Sequence, residues 1–177
     1  MAVGCLLVIV VVLGLILTGN IRHTITLSAA DIQSALQNKF PVDKKELIFT
    51  ARFSDPTAKI DATSGRVTLG ILLKVSSFGA TLATGKGEAT GELRYEPKTG
   101  EFFLESPEVT IDDLDLVRLA ERDKPKATKM LEQGLQEYFA KMPIYRLDDK
   151  DSKFVFARRV LKSMKVQDGK LEIELGF

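Results

Sequence analysis

The chain has 177 residues, with 25 basic side chains against 24 acidic ones. A balance this close to neutral provides no basic surface of the kind that binds DNA or RNA, so the composition argues against a nucleic-acid-binding protein. The only cysteine is Cys5 and the only histidine is His23. The body of the chain therefore forms no internal disulfide, and cysteine usage does not indicate the redox compartment.

Residues 2–19 carry no charged side chain and consist mainly of Val, Leu and Ile. As a helix they would be about 27 Å long, which is close to the hydrocarbon thickness of a bilayer. A cleaved secretory signal is the alternative, but such signals usually start with basic residues and end with small ones. We therefore predict a transmembrane anchor or uncleaved signal in residues 1–20 and a single domain in residues 21–177.

The first helix of the domain is marked by its start and stop signals. Ser28 and Asp31 have the spacing of a capping box, in which the side chain of each residue accepts a hydrogen bond from the backbone N–H of the other. A helix is therefore predicted at residues 29–40, and Pro41 ends it. An extended lead at 24–27 comes before it.

Strands follow, because apolar and polar residues then alternate with a period of two. The alternation predicts strands at 46–54, 58–62 and 66–77. Asp55 and Pro56 predict a turn between the first two. The third is about twice the usual strand length. Its inward face consists of Val67, Leu69, Ile71, Leu73 and Val75.

The next predicted strand, residues 83–95, has an inward face that carries very little side-chain volume. That face consists of Ala83, Gly85, Gly87, Ala89, Gly91, Leu93 and Tyr95. Glycine weakens the interior of a strand and usually marks a place where another group approaches closely. Two explanations stay open at this point: a helix packs tightly against these residues, or the space holds a ligand.

The second half of the domain changes from a strand period to a helix period. A turn at 97–100 leads to predicted strands at 101–105 and 108–116. A helix is predicted from Asp123 to Lys141, with Pro125 in its first turn. Its apolar stripe consists of Ala127, Met130, Leu131, Leu135, Tyr138, Phe139 and Met142.

The last predicted elements are short, and they complete the fold class. They are an extended piece at 144–147, a helix at 152–163, and a hairpin of 164–166 with 170–176 that turns at Asp168 and Gly169. The whole pattern predicts an α+β protein. We expect a long, strongly curved antiparallel sheet wrapped around a helix, preceded by an N-terminal transmembrane helix.

Residues suited to catalysis do not come together in the sequence. His23 has no cysteine or carboxylate near it, and no metal, phosphate-loop or dinucleotide motif is present. Asp112, Asp113 and Asp115 form an acidic cluster that fits a solvated strand end better than a calcium site. We therefore predict a protein that is not an enzyme, with no catalytic residue, no metal and no cofactor.

A cavity for an apolar molecule is the functional hypothesis that remains. Long bent strands, a Gly/Ala face and a helix rich in Met and aromatic residues would leave unfilled volume between sheet and helix. The predicted lining consists of Leu69, Ile71, Leu73, Val75, Ala83, Gly85, Gly87, Ala89, Gly91, Met130, Leu131, Leu135, Tyr138 and Phe139. The alternative is a fully packed, non-catalytic structural or scaffolding domain that binds a protein partner, for example through an edge strand.

Several short segments resemble a known family, the YceB-like bacterial lipoproteins, whose function is unknown. They are LSAADIQ at 27–33, NKFP at 38–41, MPIYRL at 142–147 and VQDGKL at 166–171. That family is similar in fold to the tubular lipid-binding (TULIP) superfamily, in which a bent antiparallel sheet wraps a long helix around an apolar tunnel. The resemblance implies a domain that binds a lipid or other hydrophobic small molecule.

The resemblance also implies a location at the inner membrane, with the domain facing the periplasm. The basic residues that follow the anchor, beginning with Arg22, would by themselves place the domain in the cytoplasm. We follow the resemblance, because charge bias over a short flank is the weaker signal. Family members carry a lipidated cysteine after the apolar stretch, whereas Cys5 comes before most of it. Residues 2–19 would then attach this chain to the membrane in place of a lipid anchor.

Overall fold

The computed structural model describes residues 22–117, 119–147 and 161–176. The predicted membrane segment lies outside these residues, as does most of the helix predicted at 152–163. No helix within the described ranges is long and apolar enough to cross a bilayer. The first elements are β1 (Arg22–Leu27), α1 (Ala29–Gln37), β2 (Val42–Glu46), β3 (Phe49–Ile60), β4 (Val67–Ser77) and β5 (Ala80–Glu96). They are followed by β6 (Glu101–Leu116), a 3-10 turn (Glu121–Asp123), α2 (Lys124–Lys141), β7 (Tyr145–Arg146), β8 (Leu161–Gln167) and β9 (Lys170–Gly176).

The strands form two antiparallel sheets, and the predicted α+β class is confirmed. The larger sheet has the order β2-β3-β4-β5-β6-β7, and the smaller one has the order β1-β9-β8. The two longest strands of the larger sheet are β5 with 17 residues and β6 with 16, about three times the usual strand length. The larger sheet is thus an up-and-down meander, whose neighbouring strands are also neighbours in sequence.

Two interruptions predicted in the strands are wrong, because the chain forms bulges there instead of turns. Asp55 and Pro56 lie inside β3, where the pairing with β4 shifts between Ser54 and Thr57. Ser106 likewise lies inside β6, and both Asp55 and Ser106 have positive φ angles, of 52° and 42°. A bulge adds an unpaired residue and bends a strand without ending it. Both strands therefore run on past the position where the sequence predicted a break.

The ends of other elements also differ from prediction. β2 was not predicted, and α1 ends at Gln37 rather than at residue 40. The last residues of the helix predicted at 152–163 belong to β8, since the strand begins at Leu161. The capping box is confirmed: the Asp31 carboxylate accepts from the Ser28 backbone N–H at 2.8 Å, and the Ser28 hydroxyl accepts from the Asp31 N–H at 3.2 Å. The hydrogen bonds from Ser28 hold the pKa of Asp31 below its ordinary value.

One continuous apolar core joins both sheets and both helices. The predicted inward face of β4 is buried at its first four positions, and Val75 is half-buried. α1 contributes Ile32 and Leu36, while Leu171 and Ile173 of the smaller sheet join the same cluster. Within the part of the chain that the structure describes, no polar or charged side chain is buried. The core is therefore held together by apolar packing, which in turn positions α2 on one face of the larger sheet.

Candidate functional site

An open depression lies between α2 and the β2-β3-β4 side of the larger sheet. It has a volume of about 490 Å³, and we call it the apolar groove. Its sheet wall consists of Phe49, Ala51, Phe53, Leu73 and Val75. Its helix wall consists of Met130, Leu131, Gly134, Leu135 and Tyr138. Three exposed charged side chains complete the lining: Lys44, Glu137 and Lys141.

The two periodicities of the sequence bring these residues together. Phe49, Ala51 and Phe53 are alternate residues of β3, so their side chains point to the same face of the sheet. On α2, Leu131 and Leu135 are four residues apart, so they lie on the same face of the helix, on successive turns. Alternate residues of a strand thus face residues one helical turn apart across the groove. The sheet wall and the helix wall are both mainly apolar.

Aromatic stacking joins the two walls on one side of the groove. The rings of Phe53 and Tyr138 are stacked, with centroids 4.8 Å apart and planes at 17°. The Lys44 ammonium lies 5.6 Å from the centre of the Tyr138 ring, a cation–π distance. Burial raises the pKa of the Tyr138 phenol, so this ring is neutral at physiological pH. The stacked pair therefore offers a ligand an uncharged aromatic surface, with one cation beside it.

The glycines of β5 do not border this groove, because the protein's own atoms already occupy the space above them. A Cβ atom at Gly87 would lie 3.1 Å from Leu135 Cδ1 and 3.5 Å from Ile71 Cγ1. At Gly85 it would lie 3.0 Å from Ile111 Cγ2, and at Gly91 it would lie 2.8 Å from the Glu105 carbonyl oxygen. Of the two explanations offered for the glycine face, tight helix packing holds at Gly87, where Leu135 of α2 is the neighbour. At Gly85 and Gly91 the close neighbours belong to β6, which neither explanation named.

The predicted lining is consequently divided between the groove and the interior. The groove receives Leu73, Val75, Met130, Leu131, Leu135 and Tyr138. The packed interior beside it receives Leu69, Ile71, Ala83, Gly85, Gly87, Ala89, Gly91 and Phe139, all of them buried except the half-buried Gly85. The first set lines the open groove, although Leu73 and Leu135 are themselves almost fully buried. The second set lies in the closed interior, except that Gly85 also borders a smaller surface depression of about 380 Å³.

Sequence reasoning missed three of the five residues of the sheet wall, one glycine of the helix wall and the three charged residues of the lining. The missed residues are Lys44, Phe49, Ala51, Phe53, Gly134, Glu137 and Lys141. A signal was present for three of them, because the alternation of β3 placed Phe49, Ala51 and Phe53 on a single face. Gly134 was a second signal, since a glycine within the apolar stripe of a helix leaves a gap in that stripe.

Other depressions and polar clusters of the described residues lack the two facing apolar walls of this groove. A second depression, of about 560 Å³, lies between α1 and the β3 bulge and is lined partly by amide and hydroxyl groups. The Lys86 ammonium donates to Asp113 Oδ2 at 2.6 Å, and this hydrogen bond holds the pKa of Asp113 below its ordinary value. In the ranges that the structure covers, no group of His, Cys, Asp and Glu side chains is arranged to hold a metal ion.

The close contact at Gly87 makes a prediction about stability. We expect Gly87→Leu to lower the free energy of unfolding by about 1–3 kcal/mol, because the new side chain must displace Leu135 and Ile71. The matched control is Gly134→Ala on α2, where a Cβ would meet no atom within 4 Å. Alanine is the better helix former by about 1 kcal/mol, so the control should be at least as stable as the parent. Urea denaturation measures both, and an unchanged midpoint for Gly87→Leu would contradict close packing at this glycine.

Comparison with known families identifies the chain. A family model described as "Protein of unknown function (DUF1439)" matches residues 27–170, which is most of the chain, so the protein belongs to that family. The match covers the larger sheet, both helices and β8, and therefore every residue of the apolar groove. A comparison with curated proteins finds no match.

Proposed function

We propose that this member of the DUF1439 family binds a lipid or another apolar small molecule in the apolar groove. The observation that carries the proposal is an open, ligand-sized and mainly apolar depression beside a closed apolar core. Its volume of about 490 Å³ lies within the range of small-molecule sites, roughly 300–1,000 Å³. Binding in such a site holds or hands over a molecule and does not transform it.

The energetics favour a ligand with an acyl chain. Each methylene group that leaves water contributes about 0.8 kcal/mol, so a chain of ordinary length binds usefully without any charged contact. The charged side chains would then act on the other end of the ligand. Lys141 faces Glu137 at 3.7 Å, whereas Lys44 lies over the Tyr138 ring at the edge of the groove. Lys44 is therefore the residue we assign to an acidic head group, such as a carboxylate or a phosphate.

The cellular setting of this proposal comes from the sequence. Residues 2–19 would anchor the protein in the inner membrane, and the likeness to YceB-like lipoproteins would place the domain in the periplasm. The likeness to the TULIP superfamily is supported by a meander of very long antiparallel strands with a helix on one face. In the TULIP comparison α2 would be the wrapped helix, and the apolar groove would be the part of the tunnel that is open in this chain.

A second candidate is a scaffolding domain that binds a protein partner and no lipid. The observation in its favour is that β2 (Val42–Glu46) is one of the two terminal strands of the described six-stranded sheet. A terminal strand has one row of backbone groups that another strand can pair with. In this account the groove is incidental, and it would take up no apolar probe.

Filling the groove from α2 tests the first candidate. We expect Gly134→Leu to reduce the uptake of a fluorescent fatty acid at least about tenfold, since the new side chain would occupy several methylene positions. It should not lower stability, because a Cβ at Gly134 meets no atom within 4 Å and leucine is the better helix former. Residues 21–177 are titrated with the probe, and native mass spectrometry follows any lipid that co-purifies.

The matched control for that experiment is Gly134→Ala, which gains at least as much helix propensity as leucine but adds only a methyl group. It should keep most of the uptake. Equal uptake by the parent and the Gly134→Leu variant would show that the probe binds outside this groove and would contradict the proposal. A parent domain that is folded, free of lipid and unable to take up the probe would favour the scaffolding candidate.

The assignment of Lys44 has its own test. We expect Lys44→Gln to weaken the binding of a fatty acid about two- to fivefold, the usual value of an exposed ion pair. Binding of the fatty alcohol of the same length should not change, since that ligand has no charge to pair. Lys45→Gln is the matched control, because Lys45 is the next residue of β2 and does not line the groove. Equal losses for acid and alcohol, or for both variants, would contradict the assignment.

A further inference from the structure

Two hairpin turns lie side by side at one end of the larger sheet. The β2–β3 turn contains Leu47 and Ile48, and the β4–β5 turn contains Phe78. The first residue of β3, Phe49, pairs with Ser77, the last residue of β4, so the two turns project from the same end. We call the set Leu47, Ile48, Phe49 and Phe78 the apolar tip.

The side chains of the apolar tip are exposed to an unusual degree. Leu47 is 102% exposed and Phe78 is 87% exposed, while Ile48 and Phe49 are about half exposed. Single exposed apolar residues are common on protein surfaces and need no explanation. Four large ones at two neighbouring turns and the start of β3 form a patch, and such patches mark sites of interaction.

Backbone geometry gives an independent reason to look for a partner here. Leu47 and Phe78 have φ angles of 52° and 47°, in the left-handed region where glycine and asparagine are the favoured residues. A bulky side chain in this region costs folding free energy, and neither residue recovers that cost through burial. Folding therefore does not account for leucine and phenylalanine at these positions, whereas contact with an apolar partner does.

The shape and the charge of the tip favour a lipid bilayer as that partner. A stable protein interface buries roughly 800 Å² on each side, but the tip presents a few side chains on projecting turns. Four charged residues come directly before the β2–β3 turn: Asp43, Lys44, Lys45 and Glu46. Asp43 pairs with Arg52 at 3.1 Å, so the two exposed lysines outnumber the remaining acid, Glu46. This excess of positive charge suits anionic lipid head groups. On β6 the nearest paired acid is Asp115, about 10 Å below Ser77 at the rise of a strand.

We propose that the apolar tip inserts into the head-group region of an anionic bilayer and docks the domain there. Phe49 belongs both to the tip and to the wall of the apolar groove, so docking would bring one end of the groove to the membrane surface. The apolar residues 2–19 would hold the chain near the same membrane. The docking proposal does not depend on what the groove binds, and the two fail separately in experiments.

The absence of tryptophan from the sequence permits a direct test. The full chain with Phe78→Trp is placed in vesicles of phosphatidylcholine and phosphatidylglycerol, with and without brominated acyl chains. Insertion predicts a blue-shifted emission and several-fold stronger quenching by the brominated lipid. Thr99→Trp is the control at the opposite end of the sheet, in the β5–β6 turn, where the indole should stay in water. Water-like, unquenched emission from both positions would overturn the proposal.

A second set of variants separates insertion from misfolding. Ile48→Trp reports on the tip, and its quenching should fall several-fold when Leu47→Asn and Phe78→Asn are added. Asparagine accepts the left-handed backbone, so these changes should leave the thermal midpoint equal or higher. Unchanged quenching would overturn the proposal. A blue shift that needs no lipid and grows with protein concentration would assign the tip to a second copy of the chain, and would overturn it as well.

Discussion

The fold depends on how closely α2 approaches the larger sheet at one position. Leu135 lies over Gly87, at a distance that leaves room for hardly any side chain on β5, and Ile71 completes the contact. Because β5 has almost no side-chain volume there, the helix can pack close to the backbone of the sheet at this point. Over β3 and β4 the sheet carries the larger side chains of Phe53 and Leu73, and the Tyr138 ring of the helix stacks on the Phe53 ring. The same helix therefore closes the core on one side and leaves the apolar groove open on the other.

Much of this arrangement could be predicted from local sequence. The period-two alternation of β4 and β5 gave the correct inward faces, and the spacing of Ser28 and Asp31 gave the start of α1. The bulges could not be predicted in the same way. Asp55 and Pro56 are typical turn residues, and only the pairing of β3 with β4 on both sides of them keeps the strand continuous. That pairing is a tertiary constraint, which local sequence does not contain.

The position of the groove was beyond local reasoning for a related reason. A glycine-rich strand indicates that something comes close, but it does not say whether a helix or a ligand does so. Here the close neighbours are Leu135 and strand β6, so the space above the glycines is occupied by the protein's own atoms. The open volume lies over β3 and β4 instead, where Gly134 of the helix and the side chains of Phe49 and Phe53 line the same groove. Which face of α2 meets which strand is decided by the packing of the whole core.

The two proposals describe one route for an apolar molecule. A domain docked through Leu47, Ile48 and Phe78 would present the Phe49 end of the groove to the bilayer. A lipid could then pass from the head-group region onto an apolar wall without crossing open water, and Lys44 would meet its head group on the way. The route uses no titrating group inside the core, in agreement with a described interior that buries no polar or charged side chain.

The central claim is that the apolar groove itself takes up the ligand, and methyl NMR tests it most directly. The domain carries a few isotope-labelled Leu, Ile, Val and Met methyl groups and is titrated with an unlabelled fatty acid. The account predicts progressive, saturable shifts for Met130, Leu131 and Val75, with little change at Val67 and Ile173 in the closed core. A titration in which the groove methyl groups do not move, or in which only residues far from the groove respond, would contradict the account.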